Sequence, residues 1–170
     1  MKKAILLLSL FVFSVVAIAA VAPSKLLPTE KEVKGWKLVQ GAQVEAEGED
    51  LTKIYDGGYK LYLDHGVTEA VRDIYLKKTD VMEITIHLMK SEKAAKDFFT
   101  YWQKQLRVKS VERKNGYILF TSPKPPVGWL VSGKYLVSAV PSKEGAAAAK
   151  DAKSFLLAVQ KKIAASSKHK

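Results

Sequence analysis

The sequence predicts an α+β domain: a single antiparallel sheet of about five to seven strands with three helices packed on it. Three observations lead there. Several stretches alternate apolar and polar residues and are joined by short connectors, which favours antiparallel neighbours. Three other segments repeat apolar residues at i, i+3, i+4 and i+7, the pattern of a helix with one buried stripe. The chain has 170 residues and no cysteine, so one core of ordinary size must hold without disulfides.

The chain begins Met1-Lys2-Lys3 and runs apolar and uncharged from Ala4 to Ala22. A basic start, an apolar centre and small residues at its end read as a secretory signal, with Ala17-Ile18-Ala19 as the cleavage site. An uncleaved membrane anchor is the alternative, since the stretch is just long enough to span a bilayer. The division expected is a signal over 1–19, a polar, proline-bearing lead-in over 20–33, one domain over 34–165 and a frayed basic tail over 166–170. The destination is the periplasm or the extracellular space.

Gly35 to Val39 reads as a first strand and Val44 to Glu47 as a second short one. Asp50 to Gly66 reads as a helix, with Leu51, Ile54, Tyr55, Gly58, Leu61 and Tyr62 on its stripe. Lys53, Asp56, Lys60 and Asp64 lie opposite as a solvated face. Asp50 is its expected cap, and Gly66 its left-handed end. Gly57-Gly58 is costly inside a helix. Gly58 on the buried stripe points to close approach of a backbone or a large ring. A ligand at the backbone, or a helix broken in two, are the alternatives.

Thr68–Lys78 and Val81–Lys90 alternate and form a hairpin across Lys78-Thr79-Asp80. In the second strand Met82, Ile84, Ile86 and Leu88 take one face, and Glu83, Thr85 and His87 the other, read as half-exposed. Ser91 caps a second helix whose stripe is Ala95, Phe98, Phe99, Trp102 and Leu106. Val108–Arg113 and Tyr117–Ser122 pair around Asn115-Gly116. Pro123 to Pro126 is expected to be an exposed loop. Trp129–Val131 and Lys134–Val140 make another hairpin, and a last helix runs from about Glu144 to Ala165 on Ala148, Ala152, Phe155, Leu156, Val159 and Ile163.

The motifs of familiar enzymes are missing: no cysteine nucleophile, G-x-S-x-G elbow, P-loop, H-E-x-x-H or G-x-G-x-x-G. No catalytic residue, metal ligand or cofactor is therefore assigned. The ligand-binding candidates are Tyr55, Tyr59, Tyr62, Glu83, His87 and Trp129, with Trp102 beside them, lining a pocket for an apolar or sugar-like ligand. An alternative is a small hydrolase-like enzyme with its site around His87, Glu83 and Asp73. Glu83 and His87 lie ~13 Å apart along a strand, too far to share one ion.

The charge is uneven. Residues 23–83 hold 9 basic and 12 acidic side chains, net −3; residues 84–170 hold 17 and 5, net +12. A basic module for anionic envelope polymer or lipid headgroups is thus a third reading, carried by Lys93, Lys96, Lys104, Lys150 and Lys153. The bland alternative is a solubilising surface. The first reading remains a non-catalytic exported domain with an envelope partner or small ligand, and no specific nucleic acid.

The run Tyr55-Asp56-Gly57-Gly58-Tyr59-Lys60-Leu61-Tyr62-Leu63-Asp64-His65-Gly66 resembles a segment of a family of exported bacterial proteins of unknown function. Leu27-Pro28, Gly35-Trp36, Ser91-Glu92-Lys93-Ala94-Ala95 and Gly133-Lys134-Tyr135-Leu136-Val137-Ser138 are similar to that family too. Tyr59 stands where the family prefers alanine, and His65 where it prefers tyrosine. The resemblance implies an exported α+β domain and brings no activity. At fold level the chain also resembles PsbP-like and Mog1-like domains.

Export is tested by sequencing the N-terminus of the protein recovered from the expressing cell. The expected mature start is Ala20; intact Met1 in a membrane fraction would refute cleavage.

Overall fold

Alternation along the strands sorts side chains to two faces, and here both faces are covered. A computed structural model describes residues 20–168. The expected signal segment 1–19 and the last two residues lie outside the described residues. The strands are β1 (Lys37–Leu38), β2 (Val44–Glu47), β3 (Val67–Lys77), β4 (Asp80–Met89), β5 (Glu112–Lys114), β6 (Tyr117–Pro123), β7 (Pro126–Ser132) and β8 (Tyr135–Pro141). The helices are α1 (Tyr59–Asp64), α2 (Glu92–Gln105) and α3 (Ala146–Lys168). One eight-stranded sheet runs β1-β3-β4-β8-β7-β6-β5, with β2 also on the outer edge of β3. All pairs are antiparallel. The α+β class holds, with one strand more than expected, because short edge pieces at both ends of the sheet pair.

On one face Met82, Ile84 and Ile86 of β4 and Val137 and Ala139 of β8 meet Phe155, Leu156, Val159 and Ile163 of α3. Each fully buried side chain of this stripe contributes about 2 kcal/mol of transfer free energy before ordering costs. The lead-in joins this layer: Leu26, Leu27, Val33 and Trp36 are buried in it. Tyr75 donates to the carbonyl of Pro28 at 2.7 Å, Tyr135 to that of Val21 at 2.7 Å, and Lys162 to that of Leu27 at 2.6 Å. The opposite face carries α2, with Phe98 and Phe99 against Phe120, Trp129, Val131 and Leu136, and with Leu51 and Ile54 alongside. The Glu83–Thr85–His87 face is therefore not half-exposed: His87 is 0% exposed and Thr85 is buried.

The helix expected over 50–66 is broken. A 3₁₀ helix, Gly48–Lys53, ends in an irregular turn before α1 begins at Tyr59. Asp50 lies inside the 3₁₀ helix rather than capping it, and pairs with Lys53 at 2.7 Å. The break falls at Gly57, whose φ of +67° is left-handed and stops a right-handed helix. Gly58 makes no close approach: a Cβ there would meet nothing within 4 Å. A glycine that does make a close approach in the core is Gly128 of β7, where a Cβ would lie 2.8 Å from Leu156 Cδ1 and 3.2 Å from Thr121 Cγ2. That glycine lets α3 sit down on the sheet.

Several local expectations hold. Ser91 Oγ accepts the Ala94 N–H at 3.0 Å at the start of α2. Gly66 follows α1 with φ +88°. The proline stretch is exposed at Pro123, Lys124 and Pro125 as expected, but it is a hairpin turn and not a separate loop: Pro123 pairs with Pro126, leaving only Lys124-Pro125 between the strands. Pro126 opens β7, a position where a missing N–H costs little. α3 runs on to Lys168, where Ser166 and Ser167 both donate back to the carbonyl of Ile163. Among the described residues, no helix is long and apolar enough to cross a membrane.

The break makes a prediction for the two glycines. Gly57→Ala should destabilise by about 1 kcal/mol, because it forces a Cβ into a left-handed backbone. Gly58→Ala has φ −103° and open space, and should be neutral or slightly stabilising. Urea unfolding of both variants checks this; equal losses would place the break elsewhere.

Candidate functional site

β4 is an interior strand, so its polar face must find partners inside the protein. His87 does so at both nitrogens. Nδ1 lies 2.8 Å from the carbonyl of Leu136, its register partner on β8. A carbonyl can only accept, so Nδ1 carries the proton and donates. Nε2 is then an acceptor, and the Tyr55 hydroxyl donates to it. Burial pushes the imidazole down to about 4, although the Leu136 contact works the other way.

Tyr55 is held there by its own turn. Its N–H donates to Leu51 at 2.9 Å, and Arg72 Nη1 donates to the carbonyl of Ile54 at 3.1 Å. Arg72 also faces Glu83 at 3.9 Å. From α1, Tyr62 lays its ring on that of Tyr55, with centroids 3.6 Å apart and planes within 10°. His87 lies near-parallel to both rings, at 5.9 Å and 5.5 Å. Trp129 of β7 continues the series 6.2 Å from His87, and Trp102 of α2 stacks on Trp129 at 5.0 Å and 14°. Trp102 also approaches Tyr62, at 6.3 Å and 40°, so five rings from five separate segments close into one cluster, here called the column. The indole N–H of Trp102 and of Trp129 are both buried without an acceptor.

Burial raises Tyr55 well above its ordinary value, and the neighbouring Tyr62 and Glu83 add to it. Tyr62 is pushed up to about 12, by burial first and by the charge of Glu83 and by Tyr101, against a lowering contact from Tyr55. Both hydroxyls stay protonated and His87 stays neutral, so no ring of the column is poised to exchange a proton near neutral pH. The column can stack on a flat ligand and donate hydrogen bonds from its indoles.

Of the ligand-binding candidates, Tyr55, Tyr62, His87 and Trp129 meet in the column, and Glu83 lies beside its two tyrosines. Tyr59 packs at the edge of the same core, outside the stack. Arg72, which ties down the Tyr55 turn, was not among the candidates; its register partner Thr85 shares the face of His87, and that parity is the signal that finds it. Asp73 does not join His87 and Glu83. It pairs with Ile84, whose side chain faces α3, so it points to the other side of the sheet. The enzyme centre imagined around those three residues is not assembled. Among the described residues, no three acidic or histidine side chains converge as metal ligands do.

The five lysines do not gather either. α2 and α3 cover opposite faces, which separates Lys93, Lys96 and Lys104 from Lys150 and Lys153. Lys93 pairs with Asp97 at 2.6 Å, Lys96 with Glu92 at 4.0 Å and Lys153 with Glu112 at 2.5 Å. Exposed pairs of this kind add little stability, but they neutralise the charges a shared anion site would need.

The buried neutral imidazole makes stability depend on pH. Its pKa is lower folded than unfolded, so its contribution is full above about 6.5 and is lost as pH falls toward about 4. The loss should be on the order of 3 kcal/mol over that window. His87→Gln, which keeps a donor and an acceptor, should remove this component; an unchanged pH slope in urea unfolding would refute the assignment.

No protein-family model matches the chain, and no curated protein matches it. Among solved structures, the chain is similar to the extracellular domain of PknH from Mycobacterium tuberculosis, with a TM-score of 0.57 and 11% sequence identity over 85% of this chain and 97% of that one. At that identity the likeness shows a shared fold.

Proposed function

We propose that this chain is an exported, non-catalytic binding domain whose ligand site is the aromatic column at His87. The observation that carries the reading is the pair of buried indole N–H groups, both without an acceptor, within the cluster of five packed rings. A buried donor without an acceptor is costly, and a ligand that brings an acceptor removes the cost. The ligand class is a flat apolar or sugar-like ring bearing hydrogen-bond acceptors. The column is filled by its own rings, so a ligand enters by displacing one. Tyr62 is suited to move: it is partly exposed and sits on the six-residue α1, between Gly57 and Gly66. Support for export comes from the Met1-Lys2-Lys3 start with its apolar run, and from the fold shared with an extracellular domain.

The test is a thermal-shift screen of the mature domain with aromatic heterocycles and saccharides, followed by tryptophan fluorescence. A binding compound should raise the melting temperature with concentration and perturb the emission. Tyr62→Ala should change its affinity by about tenfold or more, in either direction, because the displaced ring is part of the equilibrium. A panel without any concentration-dependent shift, or a shift indifferent to Tyr62→Ala, would overturn the reading.

A further inference from the structure

The α3 side of β3 holds a second feature, independent of the aromatic column. Where the lead-in crosses the sheet it leaves a cleft of about 330 Å³. Asp73 and Tyr75 line it from the strand, Leu27 and Pro28 from the lead-in, and Glu30 and Leu38 at the exposed rim. Asp73 is only 1% exposed. Its Oδ1 accepts the N–H of Ile74 at 2.8 Å, while Oδ2 is buried with no partner. The Tyr75 hydroxyl on the same face does not help it, because it donates to the carbonyl of Pro28 instead. Burial raises the Asp73 carboxyl above its ordinary range, and the Ile74 N–H only partly offsets this. Among the described residues no lysine or arginine lines the cleft, and Glu30 adds a second carboxylate, one oxygen of which accepts the Leu38 N–H at 3.0 Å.

A carboxylate left in this state is costly unless something donates to it. The donor has to carry N–H or O–H groups, is favoured if cationic because Asp73 and Glu30 are both acidic, and must fit walls on which Leu27, Pro28 and Leu38 alternate with the polar Ser24, Thr29 and Gln43. A lysine-type head on an alkyl stem has that division of polarity. We propose that this cleft binds a primary ammonium group on a short apolar chain, with Asp73 Oδ2 accepting its N–H and Leu27 and Leu38 flanking the chain. A cleft of this size holds a small ligand or one side chain of a peptide.

Backbone NMR of the mature domain tests it, with n-butylammonium as the free amine, Nα-acetyllysine amide as the peptide side chain and n-butanol as the neutral control. Saturable shifts of the Asp73, Ile74 and Tyr75 amides with n-butylammonium are expected, and none with n-butanol. Nα-acetyllysine amide binding as well extends the site to peptide lysines, and its exclusion restricts the site to free amines; both outcomes support the ammonium assignment. Asp73→Asn, confirmed folded by its melting temperature, should weaken binding by about tenfold or more. Should that variant not fold, Leu38→Arg at the 42% exposed rim supplies a competing cation and should weaken binding similarly. Tyr62→Ala should leave the ammonium shifts unchanged, which separates this site from the column. Absence of saturation, equal response to n-butanol, or binding unaffected by both Asp73→Asn and Leu38→Arg would overturn the proposal and leave Asp73 a hydrated carboxyl.

Discussion

An imidazole buried without a counter-charge has to be neutral, with both ring nitrogens paired. His87 meets that condition, and much of one face of the sheet follows from it. The Leu136 carbonyl fixes the tautomer, which leaves Nε2 in need of a donor. The Tyr55 hydroxyl is that donor, so the turn carrying Tyr55 must lie flat against β4. A continuous helix over 50–66 would not pause there. Gly57 allows the pause, and Arg72 pins it by bonding to Ile54. Tyr62 then closes over Tyr55, and α2 brings Trp102 onto Trp129.

The other face obeys a different constraint. It is nearly all hydrocarbon, and close contact with α3 is made possible by Gly128 beneath Leu156. Its polar demands are met at the margin, where the lead-in gives carbonyls to Tyr75, Tyr135 and Lys162. These three bonds make the lead-in part of the packed layer. Asp73 is the exception in that layer, a carboxylate placed at its margin with half its hydrogen-bonding capacity unused.

The two faces therefore divide the chemistry. One presents packed rings whose protonation is fixed across the neutral range; the other presents a buried carboxylate with one unpartnered oxygen. Between them runs one strand pair, β3–β4, whose alternation sends Arg72, Thr85 and His87 one way and Asp73 and Ile84 the other. The five candidate lysines do not share a face, since the two helices that carry them cover opposite sides of the sheet.

Local periodicity made much of the fold legible. The β3–β4 hairpin, the Ser91 cap, the Asn115-Gly116 turn and the stripe of α3 all rest on interactions within a few residues, and these the chain spells out. The tyrosines, His87 and Trp129 stood out as a candidate site for the same reason: large polar-tipped rings on amphipathic segments. Alternation says which side chains share a face but not whether that face meets water or another layer. Coverage of the His87 face by α2 and the 48–64 segment is a long-range fact, and so is the partner of each His87 nitrogen. The Gly57-Gly58 pair shows the same limit. Its cost in a helix is local and readable, whereas the choice between a close contact and a break depended on Tyr55 having a buried acceptor to reach, more than thirty residues away. Sequence thus determined the elements and their apolar sides; tertiary structure decided layer coverage and polar pairing, because both are settled only when distant segments compete for the same buried space.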